Sequence, residues 1–210
     1  MEEIKNYIIS QENTYKMPME ELQAMIRSGE AAKQLHAHDK IVLTFDGREE
    51  LHEIIAIDAE NLVDKSLKHS ITLQPARLIG EPKPFDEDGK NVWSTSSIRK
   101  YLNSDEFITR YAEDMKKYTT LVEKETEGDA PTVDRFFLLS LDEIGGGYPA
   151  FQTEKDRIKV DLEGETDWHF LRSAGRGNAC STWYVSASGN VYGYDGAIHA
   201  YRFAPACVIA

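Results

Sequence analysis

The sequence predicts an α+β fold. A helix signal near the beginning is followed by a hairpin signal, and from Trp168 onward short β-type segments alternate with Gly, Asn and Ser. Of the 210 residues, 41% are hydrophobic and 10% are aromatic, which is enough for a hydrophobic core and excludes wholesale disorder. We therefore expect an N-terminal helical segment over residues 1–35 and a main domain over residues 36–210.

Local signals place most of the elements that precede the C-terminal segment. In chain order they predict a helix over residues 18–35, a hairpin of residues 41–45 and 51–57, a strand over residues 70–73, a loop over residues 80–91, a helix capped by Ser96 or Ser97, and a strand running into a helix over residues 133–144. Pro18 suits a helix start and Gly29 a break. Asp46-Gly47 is a dipeptide typical of tight hairpin turns.

A second hairpin is predicted near the C-terminus, with residues 181–187 and 190–194 as its strands and Ser188-Gly189 as its turn. Successive side chains of a strand point to opposite faces of the sheet. The simplest registration places three apolar side chains in the core, namely Trp183, Val185 and Val191. It leaves one exposed face made of Tyr184, Ser186, Tyr192 and Tyr194.

The charge balance is strongly acidic, with 24 Lys and Arg against 36 Asp and Glu and a formal net charge of −12. This balance argues against nucleic acid or an anionic membrane as the main partner. The sequence has no apolar run long enough for membrane insertion and no signal sequence after Met1. These observations leave the localisation open.

The C-terminal segment differs from the rest of the chain. Residues 171–210 contain Arg172, Arg176 and Arg202 against Asp195, and they contain no Lys, Glu, Gln or Met. A β-rich, Gly-rich segment disfavours these helix formers, which explains a deficit. A complete absence of four residue types is harder to obtain from strand composition alone.

Two motifs carry a family resemblance. They are Ser97-Ile98-Arg99-x-x-Leu102-Asn103 and Trp168-x-x-Leu171-Arg172-Ser173. With further pieces that include His69-Ser70-Ile71-Thr72-Leu73-Gln74 and the ending Phe203-Ala204-Pro205, they resemble an uncharacterised domain family of bacteria and phages over roughly residues 25–210. The family often has consecutive tryptophans before Leu-Arg-Ser, whereas His169 and Phe170 stand in that place here.

The resemblance implies a C-type-lectin-like fold, related to that of the formylglycine-generating enzymes, preceded by a helical and β-hairpin extension. Some proteins of this fold are targets of diversity-generating retroelements, typically phage tail or surface ligands. The codons mutated in such variable regions cannot encode Lys, Glu, Gln, Met or Trp. The composition of residues 171–203 fits a variable region of this kind, with Trp183 as the exception. We expect Arg99, Trp168 and Arg172 to belong to the framework, with the two guanidinium groups partly buried and paired. The resemblance leaves the localisation open between a virion and the cytoplasm before assembly.

We predict that residues 171–203 present a surface that binds a protein or glycan. Tyr, Ser, Gly and Asn dominate antibody paratopes, where Tyr offers a large contact area at small entropic cost. The predicted binding residues are Arg176, Asn178, Ser181, Tyr184, Ser186, Tyr192, Tyr194, Asp195, His199 and Tyr201. The alternative is that these tyrosines simply cover the sheet. No cofactor is predicted, and a homo-oligomer is left open.

Catalytic and metal sites are weighed and not predicted. His36-x-His38 is a close histidine pair, but it lies where a helix gives way to a strand and suits a solvated turn. Cys180 and Cys207 invite comparison with the cysteines of formylglycine-generating enzymes, yet no positioned base accompanies them in the sequence. Two alternatives to a ligand-binding protein remain open. They are a structural or assembly protein of a phage particle and an enzyme that has kept the formylglycine-generating fold.

Overall fold

The computed structural model describes residues 13–175 and 177–210. The strands of this part are, in chain order, β1 (Thr14–Tyr15), β2 (Lys40–Phe45), β3 (Arg48–Ile57), β4 (Ile71–Pro75), β5 (Ile79–Pro84), β6 (Val122–Lys124), β7 (Thr132–Asp134), β8 (Phe136–Phe137), β9 (Lys159–Val160), β10 (Thr166–Asp167), β11 (His169–Ala174), β12 (Ser181–Val185), β13 (Val191–Gly196), β14 (Ala200–Phe203) and β15 (Ala206–Ile209). The α-helices are α1 (Met19–Arg27), α2 (Ala31–Gln34), α3 (Ser97–Leu102), α4 (Asp105–Ile108) and α5 (Met115–Tyr118). Short 3₁₀ helices cover Trp93–Thr95 and Glu154–Arg157, and a π-helix covers Glu143–Gly147. The predicted α+β class is confirmed.

The main sheet has six strands in the order β1-β2-β3-β4-β15-β8. Neighbouring strands are antiparallel except β1 and β2, which run parallel. The C-terminal strand β15 therefore lies inside the sheet, and all of its residues are buried. Helix α1 packs against the same core through Leu22 and Ile26. Its Gln23 donates a side-chain hydrogen bond to the backbone oxygen of Ala210 (2.9 Å), so the two ends of the described chain are joined.

Several elements follow their local signals. The β2–β3 turn is built on Asp46 and Gly47, with φ of 48° and 72°, as the Asp-Gly dipeptide predicts. Helix α3 begins after Ser96, whose hydroxyl accepts a hydrogen bond from the backbone N–H of Arg99 (3.3 Å). Helix α1 starts directly after Pro18, and Gly29 separates it from α2 with a φ of 76°. Each of these predictions is confirmed.

The predicted loop over residues 80–91 is wrong in its first part. Strand β5 occupies Ile79–Pro84 and pairs antiparallel with β14, with Pro84 opposite Ala200 and Lys83 opposite Tyr201. Prolines and glycines suggested a loop because they weaken strands in general. The partner strand lies more than a hundred residues later in the chain, and no local signal reports it.

A buried network of charged groups holds the framework together. Arg172 donates two hydrogen bonds to the carboxylate of Glu143, with N–O distances of 2.5 and 2.9 Å. The ammonium group of Lys124 contacts Glu143 at 3.0 Å and Glu60 at 2.5 Å, and the Tyr148 hydroxyl donates to Glu60 at 2.5 Å. Burial alone would raise the pKa of Glu143, but the charges of Arg172 and Lys124 lower it to about 2.

Both framework arginines are buried or partly buried and paired, as expected. Arg99 contacts the fully buried carboxylate of Asp134 at 2.6 Å, and the indole N–H of Trp93 donates to the same carboxylate at 3.0 Å. Arg172 is paired with Glu143 in the buried network, so its charge is neutralised inside the protein. The surface of the C-terminal segment is consequently less positive than its residue count suggests.

Candidate functional site

The C-terminal sheet carries the predicted site and has three strands in the order β11-β12-β13. Strands β12 and β13 form the predicted hairpin, with Tyr184 opposite Tyr192 and Val185 opposite Val191. Val185 is fully buried, as predicted, whereas Val191 is only partly buried. The turn relies on Gly189, whose φ is 83°. The predicted hairpin and its turn are confirmed.

A bulge interrupts the alternation of side chains along β13. Two residues of β13, Gly193 and Tyr194, stand against Trp183 alone on β12. The indole of Trp183 lies directly over Gly193, so closely that a Cβ there would lie 2.7 Å from the Cε2 atom of Trp183. This arrangement leaves Trp183 only partly buried and brings Tyr194 into ring contact with Tyr184, at a centroid distance of 5.9 Å.

The prediction that Tyr184 and Ser186 are exposed is wrong. Tyr184 is fully buried, and Ser186 is also buried. The indole of Trp168 covers one side of the Tyr184 ring, with centroids 4.8 Å apart and planes 11° from parallel. Strand alternation predicts an exposed Tyr184 because it takes account only of residues within the hairpin. The ring is covered by Trp168, which lies outside the hairpin and precedes β11.

The exposed side of the site consists of two tyrosines. Tyr192 is 37% exposed and Tyr194 is 69% exposed, and their ring centroids lie 5.6 Å apart. Both rings also contact Tyr184, at 5.7 and 5.9 Å. Tyr201 lies beyond Trp168 at 6.4 Å with nearly parallel planes. We call Trp168, Tyr184, Tyr192, Tyr194 and Tyr201 the aromatic layer.

A carboxylate lies beside the aromatic layer. The Oδ1 atom of Asp195 is 2.9 Å from the Nδ1 atom of His199, whose side chain is 59% exposed. The Oδ2 atom of Asp195 is buried and has no hydrogen-bond partner. Burial and the neighbouring Asp195 carboxylate raise the pKa of Tyr201 to about 12, although the two groups do not meet hydrogen-bond geometry. Asp195, His199 and Tyr201 are thus brought together as predicted.

The loop that precedes β12 holds Asn178 in a structural role. The side-chain oxygen of Asn178 accepts hydrogen bonds from the backbone N–H groups of Cys180 (3.0 Å) and Ser181 (2.7 Å). Ser181 itself is buried. Arg176, another predicted site residue, lies outside the residues that the structure describes. Asn178 is exposed at the surface, as is Cys180 two residues later.

Three residues of the site were not predicted. Trp168 is not among the predicted binding residues, yet it forms the floor of the aromatic layer. Thr182 is fully buried and lies directly across from Asp195. Asn91 supports the Asn178 loop by donating side-chain hydrogen bonds to the backbone oxygens of Asn178 (2.9 Å) and Ser181 (2.8 Å). Thr182 could have been found from strand alternation, but the other two roles depend on contacts between distant segments.

A groove of about 510 Å³ lies beside β5, where Lys83, Lys100, Glu87 and Glu106 mix both signs of charge around Tyr101. Among residues 13–175 and 177–210, no group of three or more His, Cys, Asp or Glu side chains is placed to hold a metal ion. Every helix in the same ranges is too short or too polar to span a lipid bilayer.

Comparison with known protein families identifies a family whose function is unknown. The family described as "Domain of unknown function (DUF6273)" matches residues 65–210. This range covers more than half of the chain and includes the framework arginines and the aromatic layer, so the chain belongs to that family. No curated protein and no solved structure matches the chain.

Proposed function

We propose that the protein is a non-catalytic ligand-binding protein, and that the aromatic layer and its neighbours form the binding surface. The fold proposed for it is C-type-lectin-like, which rests on the resemblance of the Ser-Ile-Arg and Leu-Arg-Ser motifs. The ligand is a protein or a glycan, as for a phage tail or cell-surface ligand. Tyr192, Tyr194, His199 and the loop at Asn178 supply the exposed contacts.

The observation that carries the proposal is the layering of the tyrosines. Tyr194 is 69% exposed, while the ring of Tyr184 beneath it is fully buried and stacked on Trp168. The outer rings therefore rest on a fixed support and lose little conformational freedom when a ligand covers them. Rigid aromatic anchors of this kind contribute most of the free energy in many protein interfaces.

The proposal is tested with ligands selected on the protein itself. A displayed peptide library and a glycan array are screened against the full chain, and the selected ligands are then titrated against a Tyr192→Ser, Tyr194→Ser double variant. We expect the affinity to fall by at least about tenfold, since aromatic hot spots contribute 2 kcal/mol or more. The control is Tyr15→Ser, a partly buried tyrosine on β1 in a different sheet. Equal binding by wild type and the double variant would refute the proposal.

Retroelement diversification of residues 171–203 is a separate part of the proposal. It is supported by the absence of Lys, Glu, Gln and Met from residues 171–210. The test is genomic: a nearby reverse transcriptase and a template repeat that differs from this segment only at adenines are expected. Differences spread evenly through the gene would contradict diversification and would leave ligand binding unaffected.

The second candidate is an assembly protein in which the tyrosines pack against a neighbouring subunit. It is favoured by one observation: Ile198, four residues after the exposed Tyr194, is itself 54% exposed. Size-exclusion chromatography with light scattering separates the two candidates. A stable homo-oligomer that dissociates in the Tyr192→Ser, Tyr194→Ser variant would favour assembly over ligand binding.

A further inference from the structure

The buried polar atoms without partners concentrate at one place in the molecule. Six such side-chain atoms occur among the described residues, and three of them belong to Thr182, Tyr184 and Asp195. Thr182 lies directly across the strand pair from Asp195, and Tyr184 follows two residues later on the same face of β12. Their unpartnered atoms are the Oγ1 of Thr182, the Oη of Tyr184 and the Oδ2 of Asp195.

An unpartnered buried carboxylate oxygen is costly for a folded protein, since a charged group loses its hydration without a compensating donor. The Oδ2 atom of Asp195 can only accept hydrogen bonds and shares the negative charge of the carboxylate, whereas the hydroxyl groups of Thr182 and Tyr184 can donate as well as accept. A donor is therefore needed at the carboxylate oxygen, and a positively charged donor suits it best.

The surroundings of Asp195 also favour a cation. The rings of Tyr184 and Tyr201 lie close enough for the Asp195 charge to affect their hydroxyl groups, and Asp167 adds a second carboxylate near Tyr201. The faces of aromatic rings attract ammonium and guanidinium groups. The pKa of Asp161 is lowered mainly by hydrogen bonds from the backbone of Glu165 and Glu163, and the charge of Arg202 on β14 adds a small further effect. The Nε atom of Arg202 is itself among the six buried atoms without a hydrogen-bond partner.

We infer that Asp195 is the anchor for a cationic side chain, a guanidinium or ammonium group, presented by a basic segment of a protein ligand. This inference rests on the proposed function, because it names the ligand chemistry of the same surface. His199 contacts the Oδ1 atom of Asp195 with one hydrogen bond, and its side chain is 59% exposed, so a cation that takes its place at the carboxylate displaces only a surface contact. The net charge of −12 attracts a basic partner at long range.

The test uses two probes that differ only in charge, N-acetyl-arginine methylamide and N-acetyl-citrulline methylamide. Both are titrated into ¹⁵N-labelled protein and followed by NMR at the amides of Tyr184, Asp195 and His199. We expect saturable shifts with the arginine probe, about tenfold weaker binding of the citrulline probe, and about tenfold weaker binding of arginine by Asp195→Asn. Equal binding of the two probes, or unchanged binding by Asp195→Asn, would overturn the inference.

A second pair of probes covers the case in which Asp195→Asn fails to fold. N-acetyl-lysine methylamide and the uncharged N-acetyl-norleucine methylamide are titrated into the wild-type protein, and we expect saturable shifts at Asp195 with the lysine probe and about tenfold weaker binding of the norleucine probe. Equal binding of these two probes would overturn the inference.

The outcomes also separate this inference from the proposed function. If the selected ligands bind through Tyr192 and Tyr194 but are neutral peptides or glycans, the cation inference fails and the proposed function stands. If no ligand depends on Tyr192 and Tyr194 while the arginine probe binds at Asp195, the proposed binding surface is rejected and the cation site at Asp195 stands. Failure of both experiments rejects both statements.

Discussion

Trp168 and Tyr184 lie face to face, with ring centroids 4.8 Å apart and planes 11° from parallel. Trp168 is the first residue of the Trp-x-x-Leu-Arg-Ser motif, and Tyr184 is the buried member of the aromatic layer. The contact therefore joins the family framework to the surface that we propose as the binding site. Four residues after Trp168, Arg172 fixes the same segment to Glu143.

The first prediction separates support from contact within the aromatic layer. Tyr184→Ala removes a fully buried ring and should lower the free energy of unfolding by about 3–5 kcal/mol. Tyr194→Ala removes a ring that is 69% exposed and should change it by no more than about 0.5 kcal/mol. Urea denaturation of both variants measures the difference. Equal losses would show that the two rings do not have these separate roles.

The second prediction concerns the buried ion network. Glu143→Gln leaves Arg172 and Lys124 buried without one of their carboxylates and should cost about 3–5 kcal/mol of unfolding free energy. The control is Glu106→Gln, which changes an exposed glutamate on α4 and should have little effect. Chemical denaturation at neutral pH is the measurement, and a small loss in Glu143→Gln would contradict the role of the network.

The third prediction is a loss of stability in mild acid. Burial, aided by the charge of Lys159, lowers the pKa of His169 from 6.5 to about 3. Between these values the unfolded chain binds a proton that the folded chain does not, so stability falls as the pH drops below about 6.5.

His169 alone contributes a slope of up to about 1.4 kcal/mol per pH unit in this window. Unfolding free energies of wild type, His169→Gln and the exposed control His36→Gln are to be measured from pH 7 to pH 5. We expect a smaller slope only in His169→Gln. A slope that is the same in all three proteins would disprove the role of His169.

The fourth prediction compares two glycines with positive φ. Gly189 has a φ of 83°, and a Cβ there would lie 2.0 Å from the backbone oxygen of Glu154. Gly164 has a φ of 89° and no atom within 4 Å of an added Cβ. Gly164→Ala should cost about 1–2 kcal/mol from backbone strain, and Gly189→Ala about 1–3 kcal/mol more because of the clash. Equal denaturation midpoints of the two variants would show that the close approach of the Glu154 backbone does not restrict the residue at position 189.

Local chemistry made part of the fold predictable. Asp46-Gly47 specifies its turn by backbone conformation, and Ser96 caps α3 through a hydrogen bond three residues away. The burial of Tyr184 could not be predicted in this way, because it depends on Trp168, which precedes β11, and on the bulge at Gly193. Strand β5 escaped prediction for the same reason, since its pairing with β14 spans most of the chain.

The candidate site was predicted by composition and corrected by packing. Asp195, His199 and Tyr201 come together, as the sequence suggested, because β13 and β14 follow one another closely. Thr182 and Asn91 were missed. Strand alternation places Thr182 on the same face of β12 as Tyr184 and could have identified it, whereas Asn91 acts across 87 residues of sequence. Composition identified the segment, but the contacts decide which of its side chains reach a ligand.

The most direct test of the proposed binding surface is the affinity of ligands selected on the wild-type protein for the Tyr192→Ser, Tyr194→Ser variant. Denaturation should first show that the variant is as stable as wild type, because both side chains are exposed. We predict that the affinity falls by at least about tenfold while Tyr15→Ser binds like wild type. Ligands that bind the double variant and the wild type equally well would contradict the account.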